Sequence, residues 1–404
     1  PPATPTTITL ASQLTVTRNL TINGNGRVIL DANQTGRVML IDDGTAAIMS
    51  VSISGITFKN GLVTGPGGGI YTKEHLTLAN SIFTNNTATN SSGGAIHNET
   101  GATLTLSDSS FTANNALHGG AIHNIGPLSV SGCTFNANHA NSTGGAIRSE
   151  TTTTLTNSTV SGNSAPEGGG LYNYNSTITI NNSTVAYNSA SGSGGGLHLN
   201  QATLNLNSSI VSYNYNAANS APDIYNYFST INADHSLVAT AAGHTITNGV
   251  NNNIVGQEAK LDVLKDNGGT TKTHMLLTTS PAIGTGDNPS GLTTDQRGAG
   301  FPRLITSIDM GAVETDTGQV IIPWTVNSAN DSGAGTLREA LENAPAGKVI
   351  DFDPTVFPPA TPTTITLASQ LTVTRNLTIN GNGRVILDAN QTGRVMLIDD
   401  GTAA

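Results

Sequence analysis

The chain has 404 residues and a formal net charge of −10, and only 10% of its residues are charged, where soluble domains typically carry roughly 25%. The acidic balance and the absence of a basic cluster argue against nucleic acid as a partner. No run of apolar residues approaches the length of a membrane span, which takes about 18 consecutive apolar residues. The single cysteine, Cys133, excludes an intrachain disulfide framework. The first residue is Pro1 rather than methionine, so we expect the natural chain to begin earlier.

Apolar residues alternate at the start of the chain, in TITLASQLTVTRNLTI at 7–22, and a period of two predicts strands. A glycine-rich phrase follows at even intervals. GGAIHN occupies 93–98 and 119–124, and variants of it stand at 67–72, 144–149, 168–173 and 194–199. The apolar residues that close the phrases are 24 to 26 residues apart. They are Ile70, Ile96, Ile122, Ile147, Leu171 and Leu197.

A second apolar position keeps the same spacing. It consists of Phe58, Phe83, Phe111, Phe135, Val160, Val185 and Val211. Short alternating stretches such as LTL at 104–106 lie between the two positions, so each unit of about 25 residues carries three strand signals separated by turns. Such a period indicates a solenoid, and the crossover rule favours the right-handed form. The predicted fold is an all-β, right-handed parallel β-helix with three short strands per coil.

Several columns of this β-helix have a predicted structural role. Both apolar positions should point inward and stack, Ile96 on Ile122 and Phe111 on Phe135. Asparagines after the second position should hydrogen-bond from coil to coil, as Asn ladders do in stacked β structures. This structural ladder is Asn86, Asn114, Asn138, Asn163, Asn188 and Asn214. A predicted left-handed turn column is Asn80, Asp108, Gly132, Asn157, Asn182 and Asn207. Cys133 stands in a serine column and is interpreted as a packed residue rather than a reactive thiol.

The residue after each inward Ile or Leu should point outward by strand alternation. These candidate binding residues are Tyr71, His97, His123, Arg148, Tyr172, His198 and Tyr225. Planar, polar-tipped side chains at one-coil spacing are suited to stacking on glycans or packing against a neighbouring filament. The alternative is a solvated face that simply favours β-forming residues. We expect no metal site among the histidines, because Tyr and Arg interrupt the column.

The chain is predicted to contain four segments. Residues 1–236 are the coils, and 237–318 an irregular closing segment in which Asp295, Arg297, Asp309 and Glu314 should pair structurally. Residues 319–357 form an opening segment, with a capping helix at 336–344. Residues 358–404 repeat 1–47 with 47 of 47 identical, at a period of 357 (358 minus 1). They are therefore interpreted as the first coils of a next tandem unit.

The pairing of GGAI with FxxN resembles the repeats of the chlamydial polymorphic outer-membrane proteins, which are β-helical surface adhesins. These phrases cover roughly residues 54–235. The flanks NDSGAGTLREAL at 330–341 and DNGGTTKTHMLLTTSPAIGTGDN at 266–288 resemble a wider set of bacterial secreted β-helix proteins. The resemblance implies a secreted, cell-surface protein and carries no established catalytic site. Gly284 stands where the family usually has Asp, so any role of that Asp is absent.

An enzyme is one alternative, because many β-helices cleave polysaccharides. That chemistry needs clustered carboxylates, whereas Glu99 and Glu150 are two coils apart and the other coil acids are scattered. We therefore expect no catalytic residues, metal or cofactor. The expected function is structural: tandem units of an extracellular filament, sheath or stalk that associates with itself. A cell-surface adhesin that binds glycans or a host or neighbour surface is the alternative, and a polysaccharide lyase or hydrolase ranks below both.

Overall fold

The computed structural model describes residues 4–216, 222–315, 324–333, 335–344, 349–358, 361–381, 383–391 and 393–399. The chain divides into two compact units, Pro1–Asp316 and Thr317–Ala404. Stacked coils of parallel strands, about 25 residues apart, make up nearly all of the regular structure. The predicted all-β parallel solenoid is confirmed.

Sheet 1 of the first unit receives one strand from each of nine coils. Its strands are Leu14–Val16, Met39–Ile41, Ile70–Thr72, Ile96–Asn98, Ile122–Asn124, Ile147–Ser149, Leu171–Tyr174, Leu197–Asn200 and Ile224–Tyr227. Equivalent residues lie directly opposite one another, as Ile96, Ile122 and Ile147 do. All three are buried, so the inward aliphatic column is confirmed.

Sheets 2 and 3 form the other sides of the coil. Sheet 2 has 18 strands: Thr6–Thr9, Leu20–Asp31, Ser50–Lys59, His75–Ala79, Ile82–Thr84, Leu104–Ser107, Ser110–Thr112, Leu128–Ser131, Thr134–Asn136, Thr153–Thr156, Thr159–Ser161, Thr177–Asn181, Thr184–Ala186, Thr203–Asn207, Ile210–Ser212, Thr230–Asp234, Leu237–Val238 and Ile254–Val255. Sheet 3 has seven: Leu62–Val63, Thr87–Ser92, Asn115–His118, His139–Thr143, Ser164–Glu167, Ser189–Ser193 and Tyr215–Asn216.

A regular coil has four short strands, one more than the sequence predicted. A left-handed residue divides the sheet 2 side in two, as Asp108 (φ 47) does between Leu104–Ser107 and Ser110–Thr112. The turn column is otherwise as predicted at Asn80, Gly132, Asn157 and Asn182. The prediction is wrong at Asn207, because the coil register gives that turn to Ser208 (φ 48) and leaves Asn207 within a strand.

The paired glycines of each phrase meet two different demands. Gly93 has φ +71, in the left-handed region that favours glycine. Gly94 lies so close to the next coil that a Cβ would stand 2.2 Å from the carbonyl oxygen of Gly120. A side chain at either position would therefore disturb the coil.

The second apolar column forms a stack of aromatic rings in the core. Phe58, Phe83, Phe111 and Phe135 have successive ring centroids 4.7, 4.9 and 4.7 Å apart and ring planes within 8° of parallel. All four rings are fully buried. Because coils repeat at roughly 4.8 Å, each ring contacts the next, and the predicted stack is confirmed.

The closing segment lies along the flank of sheet 2. After Val238 it contains one 3-10 helix, Val250–Asn252, and the strand Ile254–Val255. The side-chain amides of Asn157 and Asn182 donate to the carbonyls of Thr294 and Asp287 at 2.8 Å. This packing buries outward residues of sheet 2, among them Thr134, Thr159, Thr184 and Ile210.

The second unit has a core of its own. Its helix, Leu337–Asn343, confirms the predicted capping helix, and the Thr336 hydroxyl caps it by accepting from the N–H of Glu339. Its strands are Trp324–Val326, Val349–Phe352, Thr363–Thr366, Leu371–Val373, Thr378–Ile379, Val385–Asp388 and Met396–Ile398. Across the described part of the chain, no helix has the length and hydropathy of a membrane span.

Candidate functional surface

The seven predicted binding residues lie on one face of sheet 1 and are called the outward row. They are Tyr71, His97, His123, Arg148, Tyr172, His198 and Tyr225. Each is directly opposite the next on the neighbouring strand. Strand alternation therefore brings the row together as the sequence predicted.

The outward row is less exposed than its position on the face suggests. His97, His123, Tyr172 and His198 expose only 5–7% of their surface, and the other three are partly buried. Rings of neighbouring residues lie against them, as those of Tyr71 and His123 do against His97. The row is therefore a packed polar layer on the coil, rather than an open stripe.

In the first half of the row, histidine and carboxylate side chains contact one another in series. Nε2 of His97 lies 3.5 Å from Oε2 of Glu99, and Nε2 of His123 lies 3.0 Å from Oε1 of Glu150. The two Nδ1 atoms are 3.3 Å apart. Burial and the neighbouring His123 lower the pKa of His97 to about 4. The two rings thus bridge two carboxylates that the sequence placed two coils apart.

Arg148 contacts this series of side chains at Glu150 and also contacts His118. Its Nε and Nη2 lie 3.0 and 2.9 Å from Oε1 of Glu150, and its Nη1 lies 3.0 Å from Nδ1 of His118. The hydrogen bond from His123, supported by Arg148, lowers the pKa of Glu150 to about 2. Burial and then Arg148 lower the pKa of His118 to about 4. Near neutral pH, Glu150 is therefore ionised and His118 accepts from Arg148.

Tyr71 lies at the other end of this series of side chains, beside Glu99. Its hydroxyl donates to Oε2 of Glu99 at 2.9 Å, and the guanidinium of Arg37 lies 5.4 Å from the ring centroid. Burial and then the bond to Glu99 raise the pKa of Tyr71 to about 12. The tyrosine therefore remains a neutral donor that orients the Glu99 carboxylate.

The second half of the row consists of stacked rings. The ring centroids of Tyr172 and His198 are 4.8 Å apart, and those of His198 and Tyr225 4.9 Å. The hydroxyl of Ser193 lies 2.9 Å from Nδ1 of His198, and the amide of Asn200 donates to the Tyr172 hydroxyl at 3.0 Å. Burial lowers the pKa of His198. This half is therefore aromatic and uncharged, in contrast to the first.

The asparagine ladder is continuous and buried, as predicted. From Asn86 to Asn214, each Nδ2 donates to the Oδ1 of the next rung at 2.8–3.0 Å. The last rung is Asp223, whose Oδ1 accepts from Nδ2 and N–H of Asn214 at 2.8 and 3.0 Å. A carboxylate suits this place because it only accepts. The sequence did not indicate Asp223, although its place within the APDIYN phrase was a usable signal.

Of the four closing-segment residues predicted to pair, Asp295 and Arg297 form an ion pair, whereas Glu314 lies near Arg303 and Asp309 accepts from backbone N–H groups. Asp295 and Arg297 lie 2.7 Å apart, and Nε of Arg303 lies 3.6 Å from Oε2 of Glu314. All of these side chains and Asp309 are buried. Burial and then Asp309 raise the pKa of Glu314 to about 8. The sequence pattern did not single out Arg303, because it stands alone in an irregular stretch.

Two other groups bring three metal-ligating side chains together within the described ranges. They are Asp42, Asp43 and Glu74, and Asp234, His235 and Asp287. In the first, Lys73 lies 2.7 Å from Asp42, and the N–H of Met49 donates to Glu74 at 2.8 Å. In the second, Nε2 of His235 accepts from Asn252 at 2.9 Å. In both groups, other groups of the protein thus already contact some of the side chains that could bind a metal.

Cys133 is fully buried, and its Sγ donates to the carbonyl of Ser131 at 3.3 Å. Burial raises the pKa of the thiol to about 12. Because the thiolate is the reactive form, the geometry supports the packing role that the sequence predicted.

The chain matches no protein-family model, no curated protein and no solved structure at a significant level. The resemblance to secreted β-helix repeats therefore stays a prediction from short phrases of the sequence.

Proposed function

We propose that the protein is structural: a tandem β-solenoid whose 357-residue units build an extracellular filament, sheath or stalk. The observation that carries the proposal is the internal duplication. The identical segments 1–47 and 358–404 adopt the same strand pairing, with Thr6 opposite Val28 and Thr363 opposite Val385. One sequence thus opens a coil stack twice, as units in series require.

The internal order of the coils supports a load-bearing role. The aliphatic and asparagine columns run from coil to coil, and the phenylalanine column continues as valines from Val160 onward. Repeat proteins gain stability from every interface between neighbours, so a long array of such coils would be stiff. The acids that glycan cleavage would need are engaged, Glu99 and Glu150 by histidines and Asp295 by Arg297.

Electron microscopy of the native material tests the proposal. Because the closing segment lies beside the coils, a unit holds about 12 coils at roughly 4.8 Å each, an axial repeat on the order of 60 Å. Thin filaments with that periodicity are the expected result. Dispersed particles of a single unit at high protein concentration would refute the structural role.

A further inference from the structure

His97 and His123 are neighbours without an interruption in the outward row. They lie directly opposite each other on adjacent parallel strands, and each side chain is more than nine-tenths buried. Their ring centroids are 5.0 Å apart, and their Nδ1 atoms face each other at 3.3 Å. The interruption by Tyr and Arg that the sequence suggested does not apply to this pair.

The outer nitrogens of the pair are held by carboxylates. A carboxylate only accepts hydrogen bonds, so Glu150 at 3.0 Å favours a proton on Nε2 of His123. Nδ1 of His123 then carries a lone pair, which accepts a hydrogen bond from the Nδ1–H of His97. A metal ion between the two Nδ1 atoms would move the His97 proton to Nε2, which lies 3.5 Å from Glu99.

The separation of the two Nδ1 atoms matches what a tetrahedral zinc ion needs. Two imidazole nitrogens bound to one Zn²⁺ at about 2.0–2.1 Å are about 3.3–3.4 Å apart, and the observed separation is 3.3 Å. Histidines that ligate metals usually donate their other N–H to a carboxylate, which fixes the tautomer and strengthens the ligand. Glu99 and Glu150 occupy that place, and Tyr71 and Arg148 hold the two carboxylates in turn.

We propose that His97 and His123 form a zinc-binding site in which the two Nδ1 atoms join adjacent coils through one Zn²⁺ ion. The chain supplies two ligands, and water completes the tetrahedron. The ion replaces the hydrogen bond between the two rings with two coordinate bonds. Bound Zn²⁺ therefore stabilises the stack of coils by a free energy that grows with the logarithm of one plus the ratio of its concentration to its dissociation constant.

His198 provides a matched control within the same row. It is also nearly fully buried, but its row neighbours are Tyr172 and Tyr225, and its Nδ1 contacts the Ser193 hydroxyl. It thus has the same burial and strand position without a facing histidine. A second control is His235, which lies beside Asp234 and Asp287 and tests whether zinc binds there instead.

The test is calorimetric titration of ZnCl₂ into the 404-residue chain near neutral pH. We expect one saturable site whose affinity falls at least about tenfold in His97→Gln and in His123→Gln and is unchanged in His198→Gln and His235→Gln. Glu150→Gln should weaken binding by about 10- to 100-fold. Co²⁺ in place of Zn²⁺ should give the visible absorption of a tetrahedral ion.

Nuclear magnetic resonance of the unaltered chain keeps the proposal testable if a buried variant fails to fold. Zinc should shift the Nδ1 resonances of His97 and His123 and leave those of His198 in place. The proposal is overturned by an absence of saturable binding, or by binding that persists in both His97→Gln and His123→Gln. Nδ1 resonances of the pair that change with pH but not with zinc would show a shared proton, and would also overturn it.

Discussion

Residues 1–47 and 358–404 have the same sequence, and two strand pairs recur in the described parts of both copies, but the two copies bury different side chains. Leu14 is 37% exposed while its equivalent Leu371 is fully buried. The relation reverses further along, where Ile41 is fully buried and Ile398 is 78% exposed. Local sequence therefore sets which strands form and pair, and the neighbouring coils set which side chains enter a core.

Different neighbours explain the two patterns. The helix Leu337–Asn343 packs on the strand Leu371–Val373, and Arg338 donates to the carbonyls of Ser369 and Gln370 at 2.8 and 3.0 Å. In the first copy, the strand Ile70–Thr72 pairs with Met39–Ile41 and covers it from the other side. A single coil is half of a core, and the adjoining segment completes it.

The largest expected effect comes from a charge placed at the same position of each copy. Ile41→Asp should lower the free energy of unfolding of the first unit by about 4 kcal/mol or more, because it buries an unpaired carboxylate. Ile398→Asp should change the stability of the second unit by no more than about 0.5 kcal/mol. Urea denaturation with hydrogen exchange resolved by segment measures both. Equal losses in the two units would show that sequence alone decides burial.

A smaller loss of stability is expected at an earlier position of the repeated segment, where the second unit should lose more than the first. Leu371→Ala removes a fully buried side chain and should cost the second unit about 3 kcal/mol. Leu14→Ala, its sequence equivalent, should cost the first unit less than about 1 kcal/mol, since that side chain is already in contact with water. The same exchange measurement applies. A larger loss for Leu14→Ala than for Leu371→Ala would contradict the account.

The first copy should become more stable when it is given the missing neighbour. With residues 319–357 placed before Pro1, Ile8 and Leu14 should be buried as Ile365 and Leu371 are, which adds about 2 kcal/mol. Slower amide exchange in Thr6–Thr9 and Leu14–Val16 is the readout. The control is the same added segment with serine at the positions of Leu337 and Leu341, which should give no protection.

The smallest expected effect is a pH dependence confined to the first unit, through Glu314 of its closing segment. The folded pKa of about 8 lies above the ordinary 4.5 of this group, so folding retains a proton. The stabilisation that this proton gives to the folded state is full below pH 4.5 and is lost as the pH rises through 8. Glu314→Gln should remove on the order of 1 kcal/mol of that dependence. The measurement is the free energy of unfolding as a function of pH for the unaltered protein and for Glu314→Gln. Two curves that run parallel would contradict this role of Glu314.

The sequence predicted what depends on period and failed where contacts come from elsewhere in the chain. Ile122, Phe111 and Asn138 repeat at the coil spacing, so their stacking followed from counting. The contact of His118 with Arg148 joins two different sheets, and the contact of Arg303 with Glu314 depends on an irregular segment. Neither has a period. Asp223 lies between these cases, since it keeps the spacing of the glycine phrase but joins the asparagine ladder only 9 residues after Asn214.

The central claim is that each unit continues the coils of the unit before it. The most direct measurement is hydrogen exchange on a chain extended past residue 404 by residues 48–357. The account predicts that the amides of Met396–Ile398 then exchange as slowly as those of Met39–Ile41, because equivalent coils cover both strands. Fast exchange in Met396–Ile398 of a folded, extended chain would show that the coils do not continue and would contradict the tandem array.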